Sequence, residues 1–170
     1  GIPFVGIGDL NESGEIIGSK LRRVSRSIFT EHLTRYNLKD ELIGLGRVAS
    51  IGKVIKLQSL NEEYTISPTL GLIKGVVVKR NFLFQALKSS HVSKQFFAVM
   101  SGSTRASVGM EVLRRLLVIF PSSNTEQEAI AEVLSDMDEE IAALEARREK
   151  TKQLKQGMMQ ELLTGRTRLV

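Results

Sequence analysis

The chain has 170 residues and a formal net charge of +5, a length that allows one domain with its own core plus a smaller extension. It contains no cysteine, which excludes disulfides, thiol nucleophiles and thiolate metal sites. No apolar run approaches the length of a membrane span, so we expect a cytoplasmic protein with no membrane association.

The first 124 residues predict short elements separated by glycine or polar breaks. Runs of branched apolar residues predict strands, and Asn81 is positioned to cap a helix. The predicted strands cover residues 2–7, 41–49, 54–57, 64–66, 69–78 and 116–120, the predicted helices cover residues 28–36, 82–88 and 91–100, and residues 102–108 form a loop. Strands and helices do not alternate strictly, which favours an α+β domain with a mixed, mostly antiparallel sheet.

Residues 125–164 predict one long helix, because they contain no proline and only one internal glycine, Gly157. Thr125 and Glu128 have the spacing of a capping box, and Gly165 suits the end of a helix. At about 1.5 Å per residue this helix would be roughly 60 Å long and would fray without a partner. We therefore expect a domain over residues 1–124, the helix over 125–164 and a tail over 165–170.

An apolar seam along this helix indicates where the partner lies, and its spacing is typical of a coiled coil. The seam residues are Ile130, Leu134, Met137, Ile141, Leu144, Leu154, Met158 and Leu162. Residues 126–145 carry eight acids and no base, whereas residues 147–168 carry seven bases and two acids. This order favours an antiparallel partner of like sequence. The alternative is a helix that packs on its own domain.

The basic charge belongs to the first 124 residues, which carry a balance of +8 against −3 for the remainder. A basic domain attracts phosphate backbones, and arginine, lysine and hydroxyl side chains are the groups that contact bases and phosphates. The candidate DNA contacts are Lys20, Arg22, Arg23 and Arg26; Arg47, Lys53 and Lys56; and the loop Ser101, Gly102, Ser103, Thr104 and Arg105. Solvent-exposed charges with no ligand are the alternative interpretation.

The sequence offers no grounds for catalysis or for a bound cofactor. Gly44–Ala49 lacks the following helix of a dinucleotide site, and Gly52-Lys53 lacks the spacing and hydroxyl of a phosphate loop. His32 and His91 have no second ligand at metal spacing. No proline follows an asparagine or aspartate, so the short motif of adenine methyltransferases is missing. We therefore expect a non-catalytic chain without metal or cofactor.

The closing run, residues 125–169, closely resembles the C-terminal conserved region of specificity subunits of type I restriction–modification systems. The most specific part is KQGMMQELLTGR at residues 155–166. The preceding domain resembles a target recognition domain of that family. The matching segments are IPFV at 2–5 followed by GDL at 8–10, ASIGKV at 49–54, TIS at 65–67, GST at 102–104 and LLVIFP at 116–121.

The resemblance implies a DNA sequence-recognition subunit that directs methylation and restriction subunits to a split double-stranded DNA target. It also implies that conserved helices pair antiparallel and hold two recognition domains apart. Methylation would use S-adenosylmethionine held by another chain.

Two architectures remain open, because this chain has one domain and one long helix. It is either the C-terminal half of a longer subunit, which we favour, or a half-sized subunit that dimerises. The partner helix is then the other conserved helix of the same subunit or a second copy. The alternative from another class is a helical scaffold whose basic domain does not recognise DNA sequence.

Overall fold

The computed structural model describes residues 1–17, 20–38, 40–48, 50–57, 63–75, 77–100 and 107–169. Six strands and five α-helices lie in these ranges. The strands are β1 (Ile2–Val5), β2 (Arg22–Val24), β3 (Leu42–Gly46), β4 (Val54–Lys56), β5 (Thr65–Ile66) and β6 (Leu70–Lys74), and the helices are α1 (Arg26–Leu33), α2 (Arg80–Lys88), α3 (Ser90–Met100), α4 (Met110–Arg114) and α5 (Asn124–Leu163). A 3₁₀ turn, Ile7–Asp9, follows β1.

The strands form two three-stranded sheets. The first has the order β2-β1-β5, in which β1 is antiparallel to β2 and parallel to β5. The second has the order β4-β3-β6, and both of its pairings are antiparallel. The fold is therefore α+β with a mixed sheet and an antiparallel sheet followed by a long helix, as predicted.

The central strand of the second sheet separates two apolar clusters. Every residue of β3 is buried; Leu42 belongs to the cluster shared with the first sheet, and Ile43 and Leu45 belong to the cluster beneath α2 and α3. A strand covered on both faces has no polar side to present, which explains why LIGLG lacks alternation. Gly46 must be small, because a Cβ there would lie 1.9 Å from the carbonyl oxygen of Ser50.

Several predicted boundaries and caps were wrong. β1 ends at Val5 because Ile7 enters the 3₁₀ turn. Helix α2 begins at Arg80, two residues before the predicted start, so Asn81 lies inside the helix and does not cap it. The N-cap is Lys79, whose side chain makes no capping hydrogen bond. The short helix α4 was not predicted. Apart from the predicted strand over residues 116–120, the other predicted elements are present with ends that differ by a few residues, and residues 102–106 of the predicted loop lie outside the described ranges.

The predicted strand over residues 116–120 is not a strand. The side-chain amide of Gln95 takes the place of a neighbouring strand, since it donates to the Leu117 carbonyl (2.8 Å) and accepts from the Leu117 N–H (2.9 Å). Leu116 and Val118 are half-buried against the second cluster, while Leu117 and Ile119 are 71% and 76% exposed. The side chains of this segment therefore alternate between half-buried and exposed as in a strand, but the segment is not part of either described sheet.

Helix α5 begins at Asn124, one residue before the predicted start. The Ser123 hydroxyl accepts from the Glu126 N–H (3.4 Å), so the predicted capping box of Thr125 and Glu128 was wrong. Glu128 instead forms an ion pair with Lys79 (2.7 Å). The predicted role of Gly165 is confirmed by its φ of +73° and by backbone bonds back into the last turn, the pattern of a Schellman end.

The chain divides into two compact units, Gly1–Ile130 and Ala131–Val170. The first turns of α5 belong to the first unit, where the Gln127 side chain is 1% exposed. Its amide accepts from the Lys79 N–H (2.8 Å) and donates to the Pro121 carbonyl (2.7 Å). Among the described residues, the helices all fall short of the apolar length that would cross a bilayer.

Candidate nucleic-acid interface

Four of the predicted DNA contacts lie on and beside one exposed strand. Arg22 and Arg23 belong to β2, Lys20 precedes it, and Arg26 opens α1; all four are exposed. We call these residues the basic strand. Within the part of the chain that the structure describes, β2 is an outer strand of its sheet, so its cationic side chains are accessible to a large polyanion.

Neighbouring groups orient the three arginines of the basic strand. The Arg22 guanidinium lies 5.3 Å from the centre of the Phe4 ring, and Arg23 donates to the Gly1 carbonyl (2.7 Å). Arg26 pairs with Glu63 through two nitrogens and lies over the Phe29 ring. Because Arg26 and Glu63 are both largely exposed, a phosphate can replace that carboxylate at small cost.

Lys53 does not belong to this surface. Its ammonium is half-buried and donates to the carbonyls of Leu10 (2.7 Å) and Ile7 (3.3 Å), which ties β4 to the turn after β1. Its charge therefore serves the fold, and we remove Lys53 from the candidate DNA contacts. The predicted contacts Ser101, Gly102, Ser103, Thr104 and Arg105 lie outside the described residues.

A polar network that sequence reasoning missed lies beside the basic strand. Thr65 is fully buried, and its hydroxyl bonds to His32 Nδ1 (2.7 Å) and to the Tyr36 hydroxyl (2.6 Å). The Tyr36 oxygen also accepts from the Ile66 N–H (2.9 Å). Burial, with the neighbouring Tyr36 as a second cause, raises the pKa of Tyr64 to about 12. His32 and Tyr36, which are joined through Thr65, line one side of an open depression on the first unit.

The predicted seam residues of α5 lie along the helix with largely exposed side chains. Met137, Ile141, Leu144, Leu154 and Met158 are between 51% and 64% exposed, Leu134 is 39% exposed, and Ile130 and Leu162 are half-buried. So much exposed apolar surface along a 40-residue helix is typical of helices that pack against another helix. Near its C-terminal end an apolar groove of about 380 Å³ is lined by Leu154, Met158, Met159, Leu162 and Leu163.

The seam has a polar middle. Continuing the spacing of four and three from Leu144 places Arg148, Thr151 and Lys155 in line with Met158 and Leu162. All three polar residues are exposed. On this spacing an apolar block stands at each end of the seam and polar residues occupy the interval between them, with Leu154 beside Lys155 as the exception. Such a polar interval restricts register in coiled coils.

The described residues contain no group of three or more His, Asp or Glu side chains that could hold a metal ion. Three depressions, around Lys79, around Arg47 and near the end of α5, are open to solvent. What the described surface offers is exposed cations on the first unit and an apolar seam on the second. This chemistry suits binding of a polyanion and of a helix.

Comparison with known proteins gave one family and several structures. Residues 1–156 match the family described as "Type I restriction modification DNA specificity domain". The chain resembles a structure from a study of complex assembly and conformational transition of the type I R-M system (TM-score 0.61, 19% identity, 95% of this chain and 38% of that one). No curated protein matched the sequence.

Two further solved structures share this fold. They are the HsdS subunit from Thermoanaerobacter tengcongensis (TM-score 0.60, 14% identity, 94% of this chain and 41% of that one) and the type I restriction–modification S subunit from M. genitalium (TM-score 0.51, 20% identity, 94% and 37%). The chain thus spans about two fifths of the length of the structures it matches. At these identities the likeness concerns the fold.

Proposed function

The chain belongs to the type I restriction modification DNA specificity domain family, and on that premise we propose that it recognises a DNA sequence on behalf of methylation and restriction subunits. The catalytic steps would belong to those other subunits. The observation that carries the proposal is the basic strand, four exposed cations on and beside an outer strand of a unit whose sequence is strongly basic. We propose residues 1–124 as the recognition domain and 125–164 as the pairing helix.

The electrostatic part of this proposal predicts a defined salt dependence. Each phosphate contact contributes about −0.9 to the slope of log affinity against log salt. If all four cations of the basic strand contact phosphates, raising salt from about 50 to about 200 mM should weaken binding on the order of 100-fold. A duplex selected from a randomised pool by the wild-type chain, labelled for fluorescence anisotropy, measures this directly.

A matched pair of variants tests which cations are used. Arg23→Ala removes one cation of the basic strand and should lower the magnitude of the salt slope by about 0.9. Lys94→Ala removes an exposed cation on α3, and its slope should equal that of the wild type. Binding that ignores salt, or equal slopes for the two variants, would exclude the basic strand as a phosphate contact. A chain that binds no duplex would favour the helical scaffold.

We also propose that α5 pairs antiparallel with a helix of like charge pattern. The acidic first half of each helix would then face the basic second half of its partner, whereas a parallel pair would align like charges. The apolar seam would be covered at both ends, and the polar interval would lie at the middle of the pair. The partner is the other conserved helix of a longer subunit or a second copy of this chain.

Charge reversal distinguishes these arrangements. Replacing Glu139 and Glu140 with lysine should weaken self-association of the whole chain in sedimentation experiments, and adding Arg147→Glu and Arg148→Glu should restore part of it. A fourfold variant that shows no recovery would indicate a different register or a different partner. A wild-type chain that stays monomeric, but binds a peptide with the reversed charge order, would identify a helix from elsewhere as the partner.

A further inference from the structure

The open depression between α1, the β5–β6 turn and α4 holds a candidate for sequence discrimination. We infer that it receives the edge of a base pair of the DNA target, with Arg47 as a specificity-determining residue. This inference rests on the proposed function and assigns a part of it to one place on the first unit. It is independent of the phosphate contacts proposed for the basic strand.

The lining of the depression is cationic and open. Its volume is about 420 Å³, and it is lined by His32, Arg35, Tyr36, Arg47, Ser67 and Met110 together with the backbone and apolar residues of the β5–β6 turn. No carboxylate is among the described residues that line it. The nearby Glu31 pairs with Arg35, one helical turn away. A hydrogen-bond acceptor entering here would meet donors and positive charge.

Arg47 is held in place before any ligand arrives. Its Nε donates to the Val108 carbonyl (3.0 Å) and its Nη1 donates to the Pro68 carbonyl (3.2 Å). Its backbone N–H donates to the Thr69 carbonyl (2.9 Å), so main chain and side chain are both fixed. The described residues provide no acceptor for Nη2. An arginine oriented in this way loses little conformational entropy when it donates to a base.

Strand β6 has a glycine, Gly71, at the point where the Arg47 side chain packs against it. A Cβ on Gly71 would lie 3.3 Å from Arg47 Cδ and 2.4 Å from Leu113 Cδ1. The absence of a side chain at Gly71 therefore lets the arginine stem and helix α4 approach the same point of β6. On the other side, the hydrogen-bonded network of His32, Tyr36 and Thr65 fixes the wall of the depression.

A chain of ring contacts connects the depression to the basic strand. Arg22 lies over the Phe4 ring at 5.3 Å, and the Phe4 and His32 rings are 6.3 Å apart. His32, on the wall of the depression, is thus linked through Phe4 to Arg22, one of the proposed phosphate contacts. Under this inference, one duplex contacts the basic strand with its backbone and presents the edge of a base pair in its major groove to Arg47.

A base edge suits the depression better than an isolated phosphate. Guanine offers two acceptors to an arginine, and thymine offers a methyl group to an apolar contact. Met110 stands at the rim of the depression with 39% of its surface exposed, and it supplies such a contact. A phosphate would need only charge, which lysine provides as well as arginine.

This difference between arginine and lysine gives the test. The wild-type chain first selects duplexes from a randomised pool, and the preference at each base pair is then measured for Arg47→Lys by anisotropy with single-substituted duplexes. Because lysine keeps the charge and loses the fixed fork, we expect the salt slope to stay the same and the preference at one base pair to fall at least about tenfold. Arg168→Lys, an exchange in the exposed tail, should leave every preference unchanged.

A second variant keeps the test decisive if Arg47→Lys loses its fold, which circular dichroism would reveal. Arg35→Ala changes an exposed side chain of the same depression and should reduce preference at the same or an adjacent base pair at least about fivefold. If both variants keep the wild-type preferences, or weaken all duplexes equally with a smaller salt slope, the inference is overturned. A wild-type chain that selects no sequence would instead overturn the proposed function.

Discussion

Replacing Gln127 with leucine tests how the first turn of α5 is attached to the first unit. The Gln127 side chain is 1% exposed and satisfies two backbone groups, the N–H of Lys79 and the carbonyl of Pro121. Leucine fills a similar volume but can bond to neither group. The Lys79 N–H and the Pro121 carbonyl would then lose their hydrogen-bond partner at a place where water has little access.

The expected loss of stability follows from those two backbone groups. Leaving a buried donor or acceptor unsatisfied costs about 1–3 kcal/mol. The two bonds of Gln127 are only partly buried, so we take the lower part of that range for each and expect about 2–3 kcal/mol in total. With a urea m-value of about 1.5 kcal/mol/M for a unit of this size, the midpoint should fall by about 1.3–2 M.

Tyrosine fluorescence measures this unfolding selectively. The chain has two tyrosines and no tryptophan, and both Tyr36 and Tyr64 lie in the first unit. The matched control is Gln153→Leu, the same exchange at an exposed position of α5, which should stay within about 0.5 kcal/mol of the wild type. A Gln127→Leu midpoint equal to that of the control would refute the assignment of these bonds.

Three further outcomes follow from described contacts. Gly46→Ala should destabilise the first unit by about 3 kcal/mol or more in the same urea experiment, whereas Gly8→Ala, whose added Cβ meets nothing within 4 Å, should be nearly neutral. Tyr64 should ionise near pH 12 in absorbance titrations; since its folded pKa lies above the unfolded value of about 10, stability should decline between these pH values, and Tyr64→Phe should remove that decline. Ile141→Asp should abolish helix pairing in sedimentation experiments without changing the tyrosine unfolding curve, because it places a charge in the seam of the second unit.

Local sequence features predicted α5 within one residue at each end. A run without proline, rich in helix formers and closed by Gly165, contains nearly all the information that its backbone needs. Its starting cap was mispredicted because several capping residues precede it, and Ser123 rather than Thr125 accepts the bond. The choice between these caps depends on Lys79, because Glu128 pairs with Lys79 and not with Thr125. Lys79 lies far away in sequence, so the local pattern could not indicate this.

Long-range pairing explains what the sequence did not reveal in the first unit. The parallel pairing of β1 with β5 joins residues about sixty positions apart, and no local pattern encodes it. The depression around Arg47 draws residues from α1, β6 and α4, so no motif of fixed spacing could have indicated it. Lys53 was predicted as a DNA contact because its charge is evident from the sequence. The sequence does not show that its ammonium donates to the carbonyls of Ile7 and Leu10.

We expect the segment over residues 116–120, which Gln95 binds in the way a neighbouring strand would, to associate with other copies at high concentration. Its outer side carries Leu117 and Ile119, and the described residues supply no strand to cover the peptide groups beyond Leu117. Uncovered extended backbone with large apolar side chains promotes aggregation through edge-to-edge pairing, although Pro121 limits the length available. Oligomers that persist in the Ile141→Asp variant and disappear with Ile119→Lys would arise from this edge and have no bearing on the helix.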